Sequence, residues 1–255
     1  MGSSVFSRAL RAGLVVCGLA WLWPADVSAQ MLRPFDASRL IQRSAEPFGI
    51  PASPLLGGGL ADKWRAVQRR LADEMVQVAL CDGDRDRCAS PSALKFLEIV
   101  DAARLREGRA RLGEINRALN LAIRPVSDGS VDVWSTPLET LARGAGDCED
   151  YAIAKFLALR FAGIASDDIR IVVVHDTAFR EDHAVAAARL DGRWLTLDNR
   201  RMAMVEDSAV RNYRPTFVID QHDVMRYSDV PMLAIASGTA AAFPAGVSSL
   251  AAAVD

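Results

Sequence analysis

The chain has no apolar run long enough to cross a bilayer. Its most apolar stretch, Leu14 to Trp23, is about ten residues against the roughly 20 that a spanning helix needs. It has no basic excess either. Lys and Arg number 30 against 32 Asp and Glu, for a formal net charge of −2 with the signs interspersed, which excludes a footprint for nucleic acid or anionic lipid. There is no internal repeat. Cysteine and histidine are scarce, four and three in 255 residues, so each can be weighed individually.

The chain opens with Arg8 and Arg11, the short apolar run, Pro24 and the small-residue triplet Val27-Ser28-Ala29. This is the layout of a secretory signal peptide cut after Ala29, so residues 1–29 are expected to be removed and the remainder exported. Cleavage takes Cys17 away and leaves an odd number of cysteines in an oxidising compartment. Cys81 and Cys88 are candidates for a disulfide, leaving Cys148 as a free thiol that invites a chemical explanation. Between the pair, Asp82, Asp84 and Asp86 alternate as in a calcium loop. Arg87 and Ala93 stand where such a loop needs glycine and glutamate, so the triplet reads as solvated loop.

Residues 30–60 hold four prolines and Gly57-Gly58-Gly59, the composition of an irregular arm. From Asp62 the period turns helical, with Trp64, Val67, Leu71, Met75 and Val78 on one face. Two further helical patterns carry Leu94, Leu97, Val100 and Leu105, then Leu112, Ile115 and Leu119, before Pro125 and Ser127-Asp128-Gly129 end them. Thr136-Pro137-Leu138-Glu139 reads as a capped helix start. Another helix opens at Asp147, turns Tyr151, Ala152, Phe156 and Leu159 inward, and stops at Gly163. Beyond it the period becomes that of strands: Ile169 to Val174, then His183 to Leu190 joined through Asp191-Gly192 to Arg193 to Leu197, and Thr216 to Ile219. Helices first and antiparallel strands second predict an α+β domain over residues 61–235. The alanine- and serine-rich residues 236–255 read as a disordered tail.

Cys148 lies in Gly-Ala-Gly-Asp-Cys-Glu-Asp-Tyr, residues 144 to 151, at a predicted helix start. Unpaired N–H groups and the helix dipole favour negative charge there, and the thiolate is the reactive form of the thiol. A histidine must take the proton. His175 ends a buried strand and His222 lies in a polar segment, whereas His183 opens a strand whose hairpin partner ends at Asp198. That aspartate can accept from the second ring nitrogen and fix the tautomer. The oxyanion donors suggested are the Cys148 backbone N–H and Trp134. Asp147, Glu149 and Asp150 crowd the thiol with negative charge. Either a hard cation such as calcium neutralises them, or Asp147 is a helix cap and the other two complement the dipole.

With Trp134 and Thr136 to Glu139, Arg143 to Ala152, Asp182-His183-Ala184-Val185 and Leu197-Asp198-Asn199, the chain resembles the bacterial transglutaminase-like cysteine peptidases, which include the LapG-type periplasmic proteases. The resemblance covers roughly residues 60 to 220. It implies a papain-like, transglutaminase-type α+β fold, with Cys148 as nucleophile, His183 as base and Asp198 as orienter. It implies calcium on Asp147, Glu149 and Asp150, a periplasmic location, and a protein substrate that in LapG-type members is a large surface adhesin cut to release cells from biofilm. It further implies control by an inner-membrane receptor that senses cyclic di-GMP. Asp220-Gln221-His222 departs from the family pattern, where asparagine and then tryptophan are expected.

Two other functions use the same residues. Acyl transfer to an amine, the transglutaminase reaction, shares the acyl-enzyme and differs only in what resolves it. A non-catalytic module would use the acidic cluster to bind calcium or a partner, but it has no need of Cys148, His183 and Asp198 together.

Overall fold

The computed structural model describes residues 46–127 and 132–228. The expected signal peptide, the first part of the arm, the Asp128-Gly129 turn and the tail lie outside the described residues. Five helices come mainly from the first half: α1 (Gly59–Gly83), α2 (Pro91–Arg104), α3 (Gly108–Ala122), α4 (Pro137–Arg143) and α5 (Cys148–Phe161). Among the described residues, no helix is long and apolar enough to cross a membrane.

The described residues also hold nine strands: β1 (Ala52–Pro54), β2 (Arg124–Pro125), β3 (Ala145–Gly146), β4 (Ile169–Asp176), β5 (Glu181–Leu190), β6 (Arg193–Leu197), β7 (Val205–Glu206), β8 (Tyr213–Ile219) and β9 (Val224–Tyr227). Seven form one sheet in the order β1-β9-β8-β4-β5-β6-β7, with every pairing antiparallel. The expected α+β class is therefore met. The short β2 and β3 pair in parallel beside it.

The helices bury their apolar faces against one side of this sheet. Trp64 of α1 meets Phe156 of α5 edge to face at 5.8 Å, and both are almost wholly buried, each worth about 1.5–3 kcal/mol of burial. The face of β5 turned to the helices is Ala184, Ala186 and Ala188, so α5 can lie close to the strand. The opposite face, with Val172, Val174, Val185, Ala187 and Val218, is covered in part by Phe48, Ile50 and Ala52. That contact explains a departure from expectation. Residues 52–54, within the stretch read as irregular, become an edge strand because β9 offers an antiparallel partner, Ala52 opposite Tyr227. A proline ending such an edge costs little, since its missing N–H faces no neighbour.

α1 runs further at both ends than its apolar stripe. It carries Cys81 in its last turn, bonded to Cys88, so the disulfide staples the helix end where a polar loop was expected. Asp82 and Asp84 pair with Arg85 and Arg87 at the surface. Asp191 and Gly192 both take positive φ, 51° and 77°, which is the tight turn the dipeptide favours, and Leu190 faces Arg193 across it. This hairpin sets Leu197 opposite Ala186. Asp198 thus leaves β6 close to His183.

Candidate active site

Cys148 is the first residue of α5 because Asp147 caps the helix. Its backbone is extended, and its Oδ1 accepts from the Asp150 N–H at 3.3 Å. The approach is tightly held. Gly144 closes α4 at φ 62°, and the Gly144 and Gly146 carbonyls accept from the N–H groups of Arg124 and Val126 at 2.9 and 3.0 Å. Gly146 has no room for a side chain, since a Cβ there would fall 2.8 Å from Asp150.

The fully buried Asp150 braces this corner. Its Oδ1 accepts from the Ser135 N–H at 2.7 Å and its Oδ2 from Arg143 Nη2 at 2.5 Å, while Arg143 also reaches the Ala145 carbonyl at 2.8 Å. The start of α5, the end of α4 and the segment bearing Trp134 are thereby joined. Trp134 is buried, and its indole N–H has no acceptor among the described residues.

Across from α5, a hydrogen bond of 3.0 Å joins His183 Nε2 and Asp198 Oδ1. Both residues are buried, and Asp198 also accepts from the Tyr213 hydroxyl on Oδ2 at 2.6 Å and from the Arg200 N–H on Oδ1 at 3.0 Å. Burial alone would raise the Asp198 pKa. The hydrogen bonds from His183, Tyr213 and the Arg200 backbone outweigh it and hold the carboxyl well below the usual carboxylate range. An ionised Asp198 only accepts, so Nε2 carries the ring proton. Nδ1, buried and without a partner among the described residues, is left to accept a proton.

The backbone links the thiol to this group: the N–H of Ala184, the residue after His183, favours the Cys148 thiolate. Sγ in turn donates to Glu149 Oε2 at 2.9 Å. Burial first, and then the charge of Glu149, push the Cys148 pKa up, while the Ala184 N–H opposes them. A helix N-terminus contributes about 0.3–1 kcal/mol toward the anion, less than the 1.36 kcal/mol of one pKa unit. It loses here to a buried thiol beside a carboxylate, so this geometry holds Cys148 protonated.

The carboxylates expected to hold calcium are not gathered into one cluster. Among the described residues, no group of three or more His, Cys, Asp or Glu is arranged to hold a metal. Asp147 caps α5, Glu149 accepts from the thiol, and both Asp150 oxygens are engaged by Ser135 and Arg143. Their hard oxygen donors suit calcium in kind. For Asp150 to ligate, its ion pair with Arg143 has to be shared or given up.

The other histidines stay apart from this group. His175 pairs with the exposed Asp182 at 3.0 Å, and His222 contacts Gln221 at 2.9 Å. Sequence reasoning missed Tyr213, Lys155, Arg143 and the Arg200 N–H. A tyrosine opening a strand and a lysine inside a helix carry no chemical pattern of their own. The close spacing of Asp147 and Asp150, with only Cys148 and Glu149 between them, gave no hint that their carboxylates do different work.

The model of a family described as bacterial transglutaminase-like cysteine proteinase BTLCP matches residues 72–226. The chain belongs to this family. It is thus a transglutaminase-like cysteine peptidase, and a peptidase acts on protein. Among solved structures, calcium-bound LapG of Legionella pneumophila is similar at 24% identity and a TM-score of 0.47, over 53% of this chain and 77% of that one. EGTA-treated LapG of the same organism is similar at 21% identity and a TM-score of 0.49, over 68% and 87%. No curated protein matches the peptidase.

The bond from Tyr213 to a buried carboxylate is of the stronger kind, about 1.5–3 kcal/mol. The Tyr213→Phe variant is expected to lose roughly that much stability in urea unfolding, and its peptide cleavage falls several-fold as Asp198 loses a fixed partner. Parent-like stability and rate would mean that the hydroxyl does not hold Asp198.

Proposed function

We propose that the peptidase hydrolyses peptide bonds with Cys148 as nucleophile, His183 as general base and Asp198 as orienter. The observation that carries this is the buried His183–Asp198 bond, which places the ring proton on Nε2 and leaves Nδ1 as the base, on a strand whose next N–H, that of Ala184, favours the Cys148 thiolate. His183 Nδ1 takes the thiol proton and the sulfur attacks the substrate carbonyl. The imidazolium, steadied by Asp198, returns the proton to the leaving amine, and water resolves the acyl-enzyme. The Cys148 N–H, without a helical partner at the first position of α5, and the buried Trp134 N–H are the candidate donors to the oxyanion.

Calcium belongs to the same proposal, with Asp147, Glu149 and Asp150 as its ligands. When bound it would offset the negative charge around the thiol. Export by the residue 1–29 leader to the periplasm, a large surface adhesin as substrate, and regulation by an inner-membrane receptor complete the reading that the family resemblance implies.

Cys148→Ala is expected to abolish cleavage of a protein substrate while leaving the thermal unfolding midpoint close to the parent's. Retained cleavage sinks the nucleophile, and incorporation of an added amine without hydrolysis makes the enzyme a transglutaminase instead. Calcium is tested separately from activity. Added calcium is expected to raise the unfolding midpoint, by mass action on the folded state, and EGTA to reverse it. A midpoint indifferent to both would remove the metal from the account.

A further inference from the structure

Lys155 is fully buried on α5, a costly place for an amine. It lies seven positions, about two turns, beyond Cys148, so both side chains leave the same face of the helix. Its Nζ donates to the Leu197 carbonyl at 3.1 Å and lies 5.6 Å from the centre of the Tyr151 ring. Burial lowers its pKa to about 7, against the opposing pull of the Asp198 carboxylate. Lys155 is therefore within the electrostatic reach of the residue that orients His183.

Leu197 is the last residue of β6, and the backbone beyond it leaves the strand pairing. Its carbonyls are taken up by side chains from the helices. Asn120 Nδ2 of α3 donates to the Asp198 and Arg201 carbonyls at 3.0 and 3.1 Å, and Asn116 Nδ2 donates to those of Arg201 and Met202, both at 3.0 Å. Lys155 alone in this cradle comes from the helix that begins with the thiol. Packing does not explain the choice of residue. A methionine would fill similar space without the desolvation cost of an ammonium, but it could not donate to the Leu197 carbonyl.

We propose that Lys155 is a positioning residue for the peptidase reaction: by tying the Leu197 carbonyl to the helix of Cys148, it sets where the Asp198 carboxylate, and through it the His183 ring, stands relative to the sulfur. This rests on the catalytic reading of Cys148, His183 and Asp198.

The test compares Lys155→Met with the parent enzyme. Three readouts are used: thermal unfolding, cleavage of fluorescein-labelled casein, and the downfield proton NMR resonance of His183 Nε2–H, assigned by its loss in His183→Gln. The variant is expected to fold, with a midpoint somewhat below the parent's because the buried Leu197 carbonyl loses its donor. Its kcat should fall about tenfold or more with KM within about twofold, since misplacement acts on the chemical step. The imidazole resonance should shift or broaden. An unchanged resonance or a parent-like kcat overturns the positioning role. Cys148→Ala in parallel separates the two ideas. If that variant still cleaves casein, the catalytic reading itself fails; if it is inert while Lys155→Met is fully active, only the inference about Lys155 fails.

Discussion

The site is organised around a buried carboxylate that stays ionised. Asp198 lies where desolvation opposes its charge, and it keeps that charge because donors converge on it from β5, β8 and its own loop: the His183 ring, the Tyr213 hydroxyl and the Arg200 N–H. The arrangement is mutually dependent. The carboxylate fixes the imidazole tautomer, and the imidazole in turn stabilises the carboxylate. Two features of the sheet make it possible, the Asp191-Gly192 turn that brings β6 back beside β5 and the pairing that sets Tyr213 opposite Asp176 on β4.

Cys148, the proposed nucleophile, is governed by a different balance. Its helix start is rigid because Gly146 leaves no space, Asp147 caps, and Asp150 locks α5 to α4 through Arg143. Rigidity places the sulfur but does not ionise it. Burial and Glu149 favour the protonated thiol, and the Ala184 N–H acts against them. The same cluster of acids that marks the site in the sequence thus restrains its reactivity.

Much of this was legible from the residues. The change of period after Gly163 separated helices from strands, and Asp191-Gly192 gave the hairpin and hence the approach of Asp198 to His183. The capped start at Thr136 also followed from local pattern, with Glu139 accepting from the Thr136 N–H at 2.8 Å. What could not be read depends on distant pairing. β1 exists only because β9 supplies an edge. Asp150 is a brace rather than an exposed helix-start acid only because Arg143 and Ser135 converge on it. Lys155 sits in a run, Tyr151 to Leu159, that is buried all round, so no amphipathic stripe distinguished inside from outside.

The account's central claim is that the sulfur of residue 148 and the free ring nitrogen of residue 183 meet. A crystal structure of the enzyme, with calcium supplied, measures this directly. The account predicts His183 Nδ1 within about 4 Å of Cys148 Sγ while Nε2 remains bonded to Asp198, a reach typical of resting nucleophile–base pairs. An imidazole turned so that Nδ1 faces away from the sulfur, beyond any proton-transfer distance, would contradict it.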